Sequence, residues 1–368
     1  MCGERRPSDQ LRTTATLAAP GPARPGAVLL LPGLSLVLVI VVLLGAAVGS
    51  VAITPQTLGE MTLNRLGLAH FAIHWRPQDE VIVFDLRLPR VIAAALVGLA
   101  LASAGTLFQG LLQNPLADPY VLGTSGGASL GAVIGMLVAT PIQLLTFGLV
   151  PLTAFAGALG AVVLVYQLAR IGGRTSVVTL LLAGFVVSTI LGYSVSFLLI
   201  VNDRLQLNLP RLYAWLLGGI AVTSWSQLAV VGPLILMMAV AAYGLSHSLN
   251  ALSLGEDMAA RLGIAVERDK RLIIVVGSLL TAAAVTMSGL IGFVGLVVPH
   301  VMRLLCGPNH RLLLPAAALA GAIFLVVADL LARTLLPPAE LPVGVLTAGL
   351  GGPYFLYLLR TSRREYRL

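Results

Sequence analysis

Charge is the scarcest property of this chain. Asp, Glu, Lys and Arg supply 10% of its 368 residues, where a soluble domain carries about 25%, and that shortfall excludes an ordinary soluble globular protein. Lysine is nearly missing: Lys270 is the single one, and every other basic side chain is arginine. Two cysteines, Cys2 and Cys306, exclude a disulfide framework. No Gly-x-x-x-x-Gly-Lys-Ser/Thr run occurs, and Lys270 follows Asp269 in a charged stretch with no adjoining glycine, so the chain does not hold ATP in a P-loop. No Ser/His/Asp or Cys/His set stands out. His300 follows Pro299 and has no histidine partner at helical spacing, so it reads as a hydrogen-bonded structural residue rather than a metal ligand. Carboxylates inside apolar stretches reduce to Asp329, which sits four residues before Arg333 and can pair with it on one helix face. An ion-coupled carrier relies on unpaired carboxylates or an unwound ion site at mid-membrane. The energy for any transport is therefore expected from another subunit.

Apolar residues fill the space that charge leaves, 58% of the chain, at a mean hydropathy of +0.96. They recur in blocks near 28–52, 90–112, 119–139, 148–169, 176–201, 226–246, 271–288, 291–306, 312–332 and 343–360. A helical span needs about 20 such residues to cross about 30 Å of hydrocarbon. The expected fold is an all-α integral membrane protein of about ten transmembrane helices over residues 28–360. Residues 1–27, with Pro7, Pro20, Pro22 and Pro25, read as a disordered tail, and 361–368 as a short C-terminal tail. The first block exceeds a signal-peptide core and lacks a cleavage site, so it reads as a retained anchor. Ten spans put both termini on one side, and 16 of the 23 basic residues then share that side, which the positive-inside rule makes cytoplasmic. The net charge of +8 is thus a matter of topology rather than nucleic-acid binding.

Local punctuation fits these spans. Asn114-Pro115 stops the second, and Asp118 with Pro119 reads as the cap of the third. The run Gly123–Ala128 lacks a lysine and reads as close helix packing rather than a phosphate site. Ser103, Phe108, Gly110 and Leu111 recur as Ser288, Phe293, Gly295 and Leu296 at one constant offset, which suggests an inverted pseudo-repeat. Between the sixth and seventh spans, residues 246–270, apolar Ala251, Leu254, Met258, Ala259 and Leu262 fall at helical spacing beside Glu256, Asp257 and Arg261, with Gly255 and Gly263 as brackets. Such a helix either enters a groove of a partner or lies on lipid. Arg87, Arg90 and Arg333 lie at span ends on the side poor in arginine, where helix-end arginines snorkel or, for Arg333, pair with Asp329.

An ordered set of runs resembles the bacterial binding-protein-dependent permeases for iron–siderophores, haem and cobalamin, over about residues 35–360. The set comprises Arg87-Leu88-Pro89-Arg90, Gly98 through Pro119, Leu180–Gly184, Trp215–Gly219, Leu254-Gly255-Glu256 through Gly263, Gly292–His300 and Ala339–Gly344. The resemblance implies a type II ABC importer permease: a dimer with a second permease subunit, identical or paralogous, a cytosolic ABC ATPase dimer on the inner face, and an extracytoplasmic solute-binding protein outside. The substrate would be a metal chelate, iron–siderophore first, crossing a bacterial inner membrane. This chain would bind no cofactor or metal, ATP and magnesium belonging to the partner. The resemblance assigns ATPase coupling to Leu254, Gly255, Glu256, Ala259, Ala260, Arg261 and Gly263. It assigns binding-protein docking to Arg87, Arg90 and Arg333, and the inner gate to Ser176, Val177 and Val178. The competing readings are an ion-coupled secondary transporter, resting on Asp329, and a membrane enzyme, which has no visible catalytic cluster.

Overall fold

Among the described residues, ten apolar helices occupy the ten apolar blocks. A computed structural model describes residues 27–49, 53–138, 143–144, 146–222, 224–337 and 339–362. The tails assigned to 1–27 and 361–368 lie outside the described residues apart from their innermost positions. In chain order the helices are α1 Ala27–Ala47, α2 Pro55–Arg65, α3 Pro77–Val81, α4 Leu88–Leu111, α5 Thr124–Val138, α6 Leu149–Ala169, α7 Val177–Val201, α8 Asp203–Leu207, α9 Leu209–Leu216, α10 Trp225–Gly244, α11 Ser246–Leu252, α12 Glu256–Arg261, α13 Val266–Ser288, α14 Val294–Cys306, α15 His310–Thr334 and α16 Val343–Ser362. Seven of them (α1, α4 with its lead-in from Pro77, α6, α7, α10, α13 and α15) are long and apolar enough to cross a membrane. The shorter α5 and α14, and the C-terminal α16, complete the ten.

Several boundaries differ from the sequence reading for local reasons. A π-turn over Ile82–Arg87 joins α3 to α4. Pro89 excludes a regular helical turn before it, and the Leu88 N–H reaches back to the Val83 carbonyl instead. The Asp118 side chain does accept from the Tyr120 N–H, but it caps a 3-10 turn, Pro119–Leu122. The third span starts only after Gly123, whose φ of 84° ends that turn. Among the described residues two small antiparallel hairpins interrupt the helices, which the apolar pattern does not announce: β1 Gln143–Leu144 with β2 Phe147–Gly148, and β3 Arg170–Ile171 with β4 Arg174–Thr175.

The core is built around α4 and α13, each 78% buried over its most apolar window, while α1 and α7 keep most of their surface outward. Small residues set the spacing. A side chain at Gly98 of α4 would strike the carbonyl of Gly321 on α15, and one at Gly127 of α5 would strike that of Gly157 on α6. The Gly123–Ala128 run therefore serves helix packing, as its composition suggests. The four residues matched at constant offset do not hold equivalent places: Ser103–Leu111 lie within one helix, whereas Ser288 ends α13 and Phe293 precedes α14. The order of elements carries the repeat better. A long helix, a short one and two long ones, α4–α7, recur as α13–α16, starting from the opposite end of the bundle.

Chain reversals define the two ends. The connections α1 to α4, α5 to α6, α7 to α10, α13 to α14 and α15 to α16 share one end, which holds Arg90. The connections α4 to α5, α6 to α7, α10 to α13 and α14 to α15 share the other, which holds Lys270.

Candidate functional site

The Lys270 end presents a short helix on a fixed base. The base is α11. The Gln113 Nε2 donates to the Leu252 carbonyl (2.6 Å), Ser248 Oγ to Asp269 (2.5 Å), and the His310 N–H to Asn250 Oδ1 (2.9 Å). These bonds fasten α11 to the end of α4 and to the starts of α13 and α15. Beyond it the chain turns at Gly255, with φ of 99°, and α12 closes at Gly263, with φ of 85°. Both values favour glycine, so the expected brackets are in place.

The two faces of α12 differ. Ala259 is fully buried against the chain, while Leu254, Met258 and Leu262 are 61%, 51% and 61% exposed. Met258 and the C-cap residue Leu262, four positions apart, share one side of the helix, Leu254 stands just before the Gly255 turn, and Asp257, Ala260 and Arg261 are also exposed. This corrects the face expected from sequence: Ala259 points inward and only Ala260 of that pair looks out. Exposed apolar side chains rimmed by charge suit contact with a partner or with the membrane surface.

On the inward side α12 meets the start of α7. Lys270 Nζ lies 2.6 Å from Glu256 Oε1 and 3.3 Å from Glu267 Oε1, and donates to the Thr175 carbonyl at 3.1 Å. Ser176 stands at the N-cap of α7, with Val177 and Val178 in its first turn. These three gate candidates, Thr175, Glu256 and Glu267 line one cleft of about 400 Å³. The structure thus brings the coupling and gate candidates together. Sequence reasoning missed Lys270 and Glu267 as parts of this place. The available signal was a lone lysine, in a chain otherwise basic through arginine, at the mouth of an apolar span.

The three docking candidates gather at the opposite end and turn inward. Arg87 is 8% exposed and donates to the carbonyls of Ala46 (3.3 Å) and Ala47 (2.9 Å). The Arg333 side chain, 7% exposed, pairs with Asp329 at 3.0 Å and donates to the Gly45 carbonyl at 3.2 Å. Arg90 bridges Asp329 (3.1 Å) and Glu340 (2.9 Å) with its side chain 22% exposed. The expectation of an exposed arginine face is corrected accordingly: these guanidinium groups hold α1, α4 and α15 together. The expected Asp329–Arg333 pair is present, with Arg90 as an additional partner. His300 Nδ1 is buried with no hydrogen-bond partner among the described residues, so the hydrogen bond expected of that side chain is not made there.

Comparison with known proteins fits this geometry. The model of the FecCD transport family matches residues 37–361. The cobalamin import system permease protein BtuC of Halobacterium salinarum is 44% identical over 288 residues, 78% of this chain and 75% of its own length. The hemin transport system permease protein HmuU of Yersinia pestis is 39% identical over 345 residues, 91% of this chain and 97% of its own length. A solved structure described as an inward-facing conformation of a metal-chelate type ABC transporter superposes with a TM-score of 0.76 at 30% identity, covering 90% of this chain and 98% of that one.

Proposed function

The chain belongs to the FecCD transport family, the permease subunits of ABC importers, and from that premise we propose that it passes a metal chelate, iron–siderophore first, from a solute-binding protein into the cytoplasm. As a permease subunit it is not an enzyme; ATP is hydrolysed in a separate subunit. The observation that carries the coupling step is the exposed apolar set Leu254, Met258 and Leu262 on and flanking α12, held beside the start of α7. The ATPase seats on that set, so the Lys270 end is cytoplasmic and both termini lie on that side. The Ser176–Val178 turn closes the path there. Outward-facing apolar residues of α7, such as Phe185 and Phe197, suit a second permease subunit. The solute-binding protein docks at the other end, where Arg90 and Glu340 remain partly open.

Proteoliposomes holding the chain, its ATPase and its binding protein test this reading, with radiolabelled ferric hydroxamate, haemin and cobalamin as probes. Uptake of one of them should require ATP hydrolysis and withstand a protonophore. Uptake driven by an ion gradient without ATP would support the secondary transporter instead.

A further inference from the structure

Lys270 is 5% exposed although it lies in the first turns of α13, at the water-facing end of that helix. A lysine stem ordinarily reaches outward from such a position; this one is turned in. Its ammonium has three protons and three acceptors: Glu256 Oε1, Glu267 Oε1 and the Thr175 carbonyl. Glu267 closes the ring by accepting from the Thr175 N–H at 3.1 Å. The four residues come from three short pieces of chain: α12, β4 and the first turn of α13. A cleft of about 400 Å³ lies between α12 and the start of α7. Another, of about 200 Å³ and lined in part by Gln113, Val177 and Leu252, borders the lysine itself. Charged side chains, rather than packed apolar surface, therefore span the gap.

We propose that Lys270 is a positioning residue that carries displacement of α12 to the Ser176–Val178 turn, an inference that rests on reading α12 as the ATPase-facing helix. Glu256 is the movable arm. Its side chain is 50% exposed, and its helix is bounded by two glycines in positive-φ conformations, whereas α11 behind it is bonded to three other helices. A load on α12 flexes the chain at Gly255 and acts through Glu256 and Lys270 on Thr175, the residue before Ser176. The positive charge is essential to the linkage. Without it, Glu256 and Glu267 repel and hydrate separately, and the strap opens.

Pulsed electron paramagnetic resonance tests this in the chain assembled with its ATPase, after replacement of Cys2 and Cys306. Spin-label pairs at Val178/Tyr243 and at Arg261/Val178 are measured without nucleotide and with ATP–vanadate. In the otherwise unaltered protein the Val178/Tyr243 distance should shift with nucleotide while Arg261/Val178 stays constant. Lys270→Met should lose more than half of the first shift and make the second distance nucleotide-dependent, while ATPase co-purification persists. Lys270→Arg should restore much of the original pattern. If Lys270→Met does not assemble, Glu256→Gln provides the same test with the lysine retained. A full nucleotide shift and a constant Arg261/Val178 distance in the neutralised variant would overturn the proposal. Failure of the unaltered chain to bind the ATPase is read first; it would remove the coupling role itself, and this inference with it.

Discussion

The two ends of the bundle hold ion clusters of the same design with the signs exchanged. At one end a buried aspartate, Asp329, lies between Arg90 and Arg333. At the other a buried lysine, Lys270, lies between Glu256 and Glu267. What they connect differs. The aspartate cluster joins the long helices α4 and α15, with Arg333 reaching Gly45 of α1. The lysine cluster joins a six-residue helix, a two-residue strand and the mouth of α13, beside open clefts. A buried charge network between rigid elements acts as a clamp; between short elements on glycine turns it acts as a link. The comparison also shows why Arg87 and Arg333 present little exposed charge: both are turned into the chain, and of the three clustered arginines Arg90, with Glu340, stays the most open.

The largest expected effect breaks the clamp. Asp329→Ala leaves two arginines facing each other in a buried site, and removing one partner of a buried pair costs about 3–5 kcal/mol. Thermal unfolding in detergent should show a severe loss of stability, with little folded protein recovered. Lys270→Met should be milder in the same assay, because Glu256 and Glu267 are both partly exposed and can hydrate once the lysine is gone. Equal destabilisation by the two variants would erase the distinction between clamp and link.

A smaller effect sharpens the role of α12. Leu254→Ser with Met258→Ser and Leu262→Ser leaves the buried Ala259 face intact, so folding and membrane insertion should be unchanged. ATPase co-purification should fall by tenfold or more, since fully burying one such side chain at an interface is worth roughly 1.5–3 kcal/mol. Retention of the complex at normal strength would leave the lipid-lying reading of this helix. The smallest effect is expected at Glu340→Gln. Glu340 is 54% exposed and supports only the open side of Arg90; such pairs contribute about 0–1 kcal/mol. The melting temperature should move little, and high salt should remove most of the difference from the unaltered chain.

The spans were legible because bilayer thickness and backbone hydrogen bonding impose a simple rule on sequence, long apolar runs separated by polar turns. Gly255 and Gly263 were legible as brackets because so few other residues adopt their backbone angles. The faces of α12 were not, because six residues make too little helix for periodicity to fix which side is packed. Ala259 and Ala260 are chemically identical and differ only in what stands beside them. Nor could spacing reveal that Arg90 reaches an aspartate 239 positions away. The pairing of Lys270 with Thr175, 95 positions apart, was hidden in the same way. Asp329 and Arg333 were paired in advance because both lie on one helix, where separation in sequence fixes separation in space.

Thiol protection at Met258 tests the central claim most directly. In a chain with Cys2 and Cys306 replaced, Met258→Cys is labelled in sealed right-side-out and inside-out vesicles, with and without the ATPase. The account predicts labelling by an impermeant maleimide from the cytoplasmic side alone, and strong protection when the ATPase is bound. Labelling from the outside, or full reactivity in the presence of stoichiometric ATPase, would contradict it.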